Sequence, residues 1–125
     1  KPEALIPKIG LSEILPSEIH VDLLEPEVSD GNVTLTELVI LAQLVKLSKA
    51  EKIFEIGTFD GRTTLNLAKN SGVGAKVYTL DLGPKEIAEL KKNPHGDRKF
   101  IGKVESGWRF HGRPEAQKIA QLFGD

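Results

Sequence analysis

The feature that most constrains this chain is a glycine loop between a short apolar run and a helix-forming segment. The run at 52–56 ends abruptly at the loop 57–61, and the segment 62–70 that follows has apolar side chains at helical spacing. A second apolar run at 75–80 comes next, and Asp81 stands directly after it. The order strand, loop, helix, strand predicts a parallel sheet whose strand ends lie at one shared edge.

Two further segments precede this unit. Residues 1–33 contain four prolines and close with the turn signal Ser-Asp-Gly-Asn at 29–32, which predicts an irregular N-terminal arm. Thr34 and Glu37 then match a capping box that begins a helix. Because apolar side chains surround most of that helix, we expect it to be buried on more than one side. The chain is therefore divided into an arm at 1–33 and a sheet-forming unit at 34–125.

The last third of the chain contains one clear helix and one ambiguous segment. Residues 85–92 are helix-forming and follow a proline, which suits a first helical turn. A long stretch rich in glycine and charge comes next, with a strand predicted at 99–104. Residues 119–123 suit a third parallel strand that ends at Gly-Asp, and a helix over 115–123 is the alternative. We favour the strand.

Composition narrows the class of partner. The 125 residues carry 17 Lys and Arg against 18 Asp and Glu, with the two signs interspersed, so we expect neither a nucleic-acid nor a membrane partner. There is no cysteine, and the three histidines lack metal-ligand spacing, so we expect no metal site. No apolar run approaches the roughly 20 residues of a membrane span, and we expect a soluble, cytoplasmic protein. Because methionine is absent even at position 1, we also expect the chain to be a truncated piece.

Three loop types compete for residues 57–61. A phosphate-binding loop needs one more residue and a lysine where Arg62 stands, and Asp60 would place a negative charge among the phosphates. A dinucleotide fingerprint needs a second glycine where Phe59 stands, because a side chain there obstructs a pyrophosphate. The third type has an acid, two glycines separated by three residues, and another acid at the next strand end. This chain matches the third type.

The third pattern predicts a nucleoside site. Gly57 permits a sharp exit from the strand, and Gly61 permits close approach of a ligand to a loop whose following helix offers free amides to an anion. The Asp81 carboxylate can accept hydrogen bonds from both hydroxyls of a ribose. With Glu55, these residues predict an adenosine-type ligand with an anionic or zwitterionic tail. Taken singly, the glycines also suit an empty turn, Asp81 a cap, and Glu55 a surface ion pair.

At these residues the sequence resembles the class I S-adenosylmethionine-dependent methyltransferases. The run at 54–65, Phe-Glu-Ile-Gly-Thr-Phe-Asp-Gly-Arg-Thr-Thr-Leu, is similar to the small O-methyltransferase branch that includes catechol and macrocin O-methyltransferases. In that branch an aromatic residue commonly replaces the central glycine. The resemblance covers residues 33–82 well. It implies an α/β fold with a Rossmann-like parallel sheet, of which this chain holds the first three strands in the order 3-2-1.

The resemblance also implies roles for individual residues. The methionine part of S-adenosylmethionine would lie over the glycine loop, with Glu55 near its ammonium group. Asp81 would hold the ribose hydroxyls, and Asp125, after the third strand, would lie near the adenine amino group. The implied cofactor-binding residues are Glu55, Gly57, Thr58, Phe59, Gly61, Asp81 and Asp125.

The remainder of the family's fold has no counterpart in the sequence, so the catalytic residues stay unassigned. The resemblance implies O-methyl transfer to a small-molecule acceptor in the intact protein and no turnover by residues 1–125 alone. Two alternatives are a non-catalytic nucleoside or dinucleotide-binding module and a self-associating half-domain. In the family's strand order the run at 52–56 would have an open edge, and we therefore expect a homodimer or a larger homo-oligomer. The run at 108–113, Trp-Arg-Phe-His-Gly-Arg, could dock a substrate or stack on a base, but an aromatic anchor that packs a long loop is the favoured interpretation.

Overall fold

The computed structural model describes residues 8–16, 18–92 and 101–124. Its strands are parallel and form one sheet in the order β1-β2-β3, with β1 at Lys52–Ile56, β2 at Lys76–Asp81 and β3 at Ile119–Phe123. The predicted parallel sheet and its neighbour order are confirmed. The ambiguous C-terminal segment is a strand, and it begins directly after a 3-10 helix at Pro114–Lys118.

The α-helices of the sheet-forming unit begin close to the predicted positions, and a further short helix lies in the arm, which was predicted to be irregular. The helices lie at Leu11–Ile14 (α1), Leu35–Ser48 (α2), Arg62–Asn70 (α3) and Pro84–Leu90 (α4). The capping box is confirmed, because the Thr34 hydroxyl accepts from the Glu37 amide at 3.3 Å and the Glu37 carboxylate accepts from the Thr34 amide at 2.8 Å. The strand predicted at 99–104 is wrong over its described part, since residues 101–104 form turns, and its first two residues lie outside the described ranges.

Helix α2 is buried along one face, and the prediction of burial on more than one side is wrong. Its fully buried side chains are Leu38, Ala42 and Val45. Leu35, Leu44 and Leu47 are exposed on the remaining circumference. The physical reason is that α3 and the sheet both pack against the same face of α2, where Val45 contacts the core around Leu67 and Val77.

The core lies between these two helices and one face of the sheet. Its centre is formed by Val45, Leu67, Ala68 and Val77, with Ile53 and Ile119 packed against it from the outer strands. The sheet register explains this row, since Ile53 pairs with Val77 and Val77 with Ile119. Side chains alternate along a strand, so the neighbouring row points to the opposite face of the sheet.

The N-terminal arm has neither helix nor strand between residues 18 and 33, and it is attached to α3 by side-chain amides. Asn70 accepts from the Asp22 amide at 3.0 Å and donates to the Asp22 carbonyl at 2.8 Å. One turn earlier, Asn66 makes the same pair of bonds to Leu24 at 2.8 and 2.9 Å. A primary amide satisfies one donor and one acceptor of an extended backbone, so the two asparagines substitute for a neighbouring strand.

Arg62 continues this attachment one further turn along α3. It is fully buried, and its guanidinium donates to the carbonyls of Glu25 at 2.8 Å, Val33 at 2.9 Å and Pro26 at 2.9 Å. Five donors in a rigid fork suit several carbonyls of one irregular segment, which a single ammonium group cannot reach together. The arm is thereby held against the start of α3, beside the glycine loop.

Self-association through the open edge stays a prediction, and the structure locates its surface. In the part of the chain that the structure describes, strand β1 pairs on one side only, with Phe54 58% and Ile56 80% exposed. Unpaired strand edges beside apolar side chains favour pairing with another chain, so we expect a homodimer or larger assembly in analytical ultracentrifugation at micromolar concentration. Ile56→Lys should disperse it, and Val73→Lys in a remote exposed turn should not. A stable 13.7 kDa monomer of the unmodified chain would contradict the prediction.

No helix among the described residues is long and apolar enough to cross a membrane.

Candidate functional site

A cavity of about 320 Å³ lies at the carboxyl ends of the parallel strands. Gly57, Phe59 and Asp81 line it, so the structure brings these predicted residues to one surface. Glu55 and two loop residues, Thr58 and Gly61, are not among the lining residues, and Asp125 is outside the described residues. Gly31 of the arm also lines the cavity. The sequence showed the strand ends but not this contribution from the arm.

Gly57 forms the open side of the loop. Its φ is +93°, and a side chain built on it would meet nothing within 4 Å. Its amide donates to the Leu80 carbonyl at 2.8 Å, which holds the loop against the end of β2. A positive φ favours glycine, and the empty space above it leaves room for a ligand to touch the backbone. This geometry fits the predicted role of Gly57.

Gly61 makes a close contact with the protein itself. Its φ is +87°, and a Cβ would lie 2.7 Å from the Phe110 ring and 2.9 Å from the Gly107 Cα. The sequence suggested that this glycine makes room for a ligand, whereas here it makes room for the loop at 107–110. Phe110 is buried and packs that loop, so the expected aromatic anchor is present, while Trp108 is exposed with the Arg109 guanidinium 4.7 Å from its ring centre.

The Glu55 carboxylate lies under the loop in a group of three hydroxyls. Its Oε2 accepts from Thr79 at 2.7 Å and from Thr64, and the Thr79 hydroxyl lies 2.7 Å from that of Thr58. Burial raises the pKa of Glu55, the two hydroxyl donors partly offset this rise, and the charge of Asp81 adds to it. The carboxylate thus joins β1, β2 and α3 below the cavity.

This raised pKa predicts a pH-dependent effect of Glu55→Gln. A carboxyl whose folded pKa exceeds its unfolded value of about 4.3 stabilises the fold below that value, and the contribution is lost as pH rises through the folded pKa. Glutamine keeps an acceptor for both hydroxyls without the buried charge. We therefore expect the free energy of unfolding of the variant, relative to the unmodified chain, to increase from about pH 4 upward.

Urea unfolding at several pH values between about 4 and 7 measures this difference. Glu51→Gln is the matched control, because Glu51 directly precedes the same strand and is exposed. A difference for Glu55→Gln that does not change with pH would contradict the assignment of a buried, destabilised charge.

Asp81 ends β2 and is held on both oxygens. Its Oδ1 accepts from the Leu82 amide at 2.9 Å, and its Oδ2 accepts from the Ser106 hydroxyl. The amide of Gly124, the residue after β3, donates to the Asp81 carbonyl at 3.0 Å and so holds the backbone of Asp81 in place. A half-buried carboxylate at this position can still accept further hydrogen bonds from a ligand in the cavity.

Asp60 occupies the start of α3 as an internal anion. It is buried, its Oδ1 accepts from the Arg62 amide at 3.0 Å, and its Oδ2 accepts from Asn32 and from Arg109, each at 2.7 Å. A phosphate-binding loop places its ligand's negative charge near such a helix start. Since a carboxylate already fills that place, the geometry disfavours a phosphate ligand here.

The segment after Glu105 packs on the glycine loop through backbone contacts that sequence reasoning missed. The Gly107 amide donates to the Phe59 carbonyl at 2.8 Å, and the Arg109 amide donates to the Asp60 carbonyl at 3.0 Å. Arg109 also pairs with the Glu25 carboxylate of the arm. These contacts join residues far apart in sequence, and Gly107, which has a positive φ of 76°, gives no indication in the sequence of which residues it will meet.

No cluster of three or more His, Asp or Glu side chains suited to a metal ion occurs in the part of the chain that the structure describes.

No family model matches the chain, and no curated protein matches it. Among solved structures, the O-methyltransferase TomG from Streptomyces achromogenes in complex with SAM is 20% identical, with a TM-score of 0.57 over 92% of this chain and 47% of its own. A proposed O-methyltransferase from Klebsiella pneumoniae is 21% identical, with a TM-score of 0.51 over 98% of this chain and 46% of its own. A cofactor-bound protein from MTB is 22% identical, with a TM-score of 0.50 over 80% of this chain and 38% of its own.

The chain shares its fold with O-methyltransferases. It spans less than half the length of each of these structures, the largest share being 47%. The predicted fold class, a partial Rossmann-like α/β sheet with strand order 3-2-1, is therefore confirmed. At these identities the likeness concerns the fold alone.

Proposed function

We propose that this chain is the S-adenosylmethionine-binding portion of a methyltransferase that, in the intact protein, transfers a methyl group to an oxygen of a small molecule. The observation that carries the proposal is the meeting of Gly57 and Asp81 at one cavity beyond the carboxyl ends of parallel strands. Open parallel sheets bind nucleotide-like ligands at this place. The fold shared with TomG, which was solved in complex with SAM, supports the same ligand class.

The cavity residues suit the parts of this cofactor. The Asp81 carboxylate is an acceptor for the ribose hydroxyls, and Leu82 and Ile87 provide apolar wall for an adenine. The backbone at Gly57 is open to the methionine part, and Phe59 lies beside it at a positive φ of 49°. When bound, the cofactor supplies an activated methyl group on a sulfonium. The chain's own residues bind and orient it, which is the main contribution a protein makes to such a transfer.

Binding of S-adenosylhomocysteine, measured by isothermal titration calorimetry, tests the proposal. Asp81→Ala should weaken binding by at least about 10- to 100-fold, because even one hydrogen bond from a ribose hydroxyl to a carboxylate contributes about 1.5–3 kcal/mol. Glu89→Ala, an exposed acid on α4, is the control and should leave the affinity unchanged. Equal binding by the unmodified chain and Asp81→Ala, or tighter binding of NAD than of S-adenosylhomocysteine, would contradict the proposal.

A further inference from the structure

A series of hydrogen bonds leads from Gln121 through Ser106 to the Asp81 carboxylate. The Gln121 side-chain amide, on β3, donates to the Ser106 hydroxyl at 3.0 Å and to the Ser106 carbonyl at 3.1 Å. The Ser106 hydroxyl in turn donates to Asp81 Oδ2. Three separate parts of the chain therefore meet at one carboxylate oxygen, and none of these contacts is local in sequence.

Which group donates in each of these hydrogen bonds follows from the chemistry of the groups. The Ser106 carbonyl can only accept, so the nitrogen of the Gln121 amide, and not its oxygen, must face Ser106. The same nitrogen donates to the Ser106 hydroxyl, whose single hydrogen is then free for another acceptor. Asp81 Oδ2 is that acceptor. The orientation of each group is thus determined by its neighbour.

Asp81 is held on its second oxygen as well, where Oδ1 accepts from the Leu82 amide at 2.9 Å. Each carboxylate oxygen has about two acceptor positions, so one position on each oxygen remains after these two donors are counted. With both oxygens held, the carboxylate plane has little freedom to turn. Asp81 lines the cavity, so a ligand there can reach the acceptor positions that remain.

We propose that Ser106 and Gln121 are positioning residues that fix Asp81 as a two-point acceptor for a vicinal diol, so that the site selects ribonucleosides over deoxyribonucleosides. Both residues act through Asp81. The inference rests on the proposed function, because it concerns the ribose of the same ligand. A ligand lacking the 2′-hydroxyl leaves one of the two fixed acceptors without a donor, which is the basis of the selection.

Calorimetry with S-adenosylhomocysteine and its 2′-deoxy analogue tests this inference on the full chain. The unmodified protein should bind the ribose ligand about tenfold more tightly than the deoxy analogue. Ser106→Ala removes the donor to Oδ2, and Gln121→Glu replaces a donor by an acceptor of the same shape, which redirects the Ser106 hydroxyl away from Asp81. Both variants should reduce the tenfold preference to about twofold or less. Gln117→Glu, an exposed position just before β3, should retain it.

The outcomes separate this inference from the proposed function. Failure of the unmodified chain to bind either ligand overturns both. Binding by the unmodified chain with an unchanged ribose preference in Ser106→Ala and Gln121→Glu overturns only the positioning role. Tighter binding of the ribose ligand by Ser106→Ala would also overturn it, since the serine hydroxyl would then be a competitor of the ribose. Near-ultraviolet circular dichroism of Ser106→Ala, a change of one atom at a half-buried position, verifies that the variant is folded.

Discussion

The Gly61→Ala variant should lose about 2–4 kcal/mol of the free energy of unfolding. One part of this loss is backbone strain, because Gly61 has a φ of +87°, where a side chain is unfavourable. The larger part is steric, since the new Cβ would lie 2.7 Å from the Phe110 ring and 2.9 Å from the Gly107 Cα. Backbone cannot move aside as a flexible side chain does. The loop that covers the start of α3 must therefore shift.

Alanine variants at two other glycines distinguish the cost of backbone strain from the cost of a steric clash. Gly72→Ala meets nothing within 4 Å and should be neutral to within about 0.5 kcal/mol. Gly57→Ala is also free of collisions but has a φ of +93°, so we expect a loss of about 1 kcal/mol together with weaker ligand binding. Urea unfolding of the three variants measures the series. If Gly61→Ala lost no more free energy of unfolding than Gly57→Ala, the steric clash with Phe110 would not contribute to the loss of stability.

Arg62→Ala should destabilise the chain by about 3–5 kcal/mol and release the arm from α3. The side chain is fully buried, and its removal leaves the carbonyls of Glu25, Pro26 and Val33 without their donor. A buried acceptor that loses its partner costs about 1–3 kcal/mol, and water entering the new space recovers part of that. The arm residues beside the cavity should then be cleaved faster by a protease.

Lys69→Ala on the same helix is the control for Arg62→Ala. Lys69 is exposed and forms a surface ion pair with Glu115 at 3.5 Å, which contributes about 0–1 kcal/mol. Unfolding in urea gives the stability of each variant, and limited proteolysis followed by mass spectrometry gives the cleavage rate between residues 18 and 33. If Arg62→Ala matched Lys69→Ala in both measurements, the arm would not depend on the arginine.

Most of the secondary structure was predictable because its signals are local. The capping box at Thr34 and Glu37 satisfies helix amides within one turn, and the strands follow from short apolar runs bounded by glycine. The third strand was less certain, since apolar runs of about five residues fit either a helix or a strand. Pairing with β2 decided it, because the backbone of Ile119–Phe123 is hydrogen-bonded there.

The candidate site was predictable only in part. Gly57 and Asp81 could be expected at one edge, because successive parallel strands end on the same side of a sheet. The role of Gly61 could not be read from its position, since its neighbour Phe110 is far along the chain. Ser106 carried no signal, because a serine in an aperiodic stretch reveals nothing until the fold brings it to Asp81.

The amino-acid sequence by itself determined the order of helices and strands, the glycine loop and the acid at the end of β2. These features depend on backbone conformation and side-chain periodicity within a few neighbouring residues. The tertiary structure alone decided that α2 is buried on one face and that Arg62 holds the arm. It also decided that the arm meets the segment after Glu105, where Glu25 and Arg113, 88 residues apart, form an ion pair. Such contacts depend on the path of the whole chain, because polar side chains find buried partners only after distant segments have packed together.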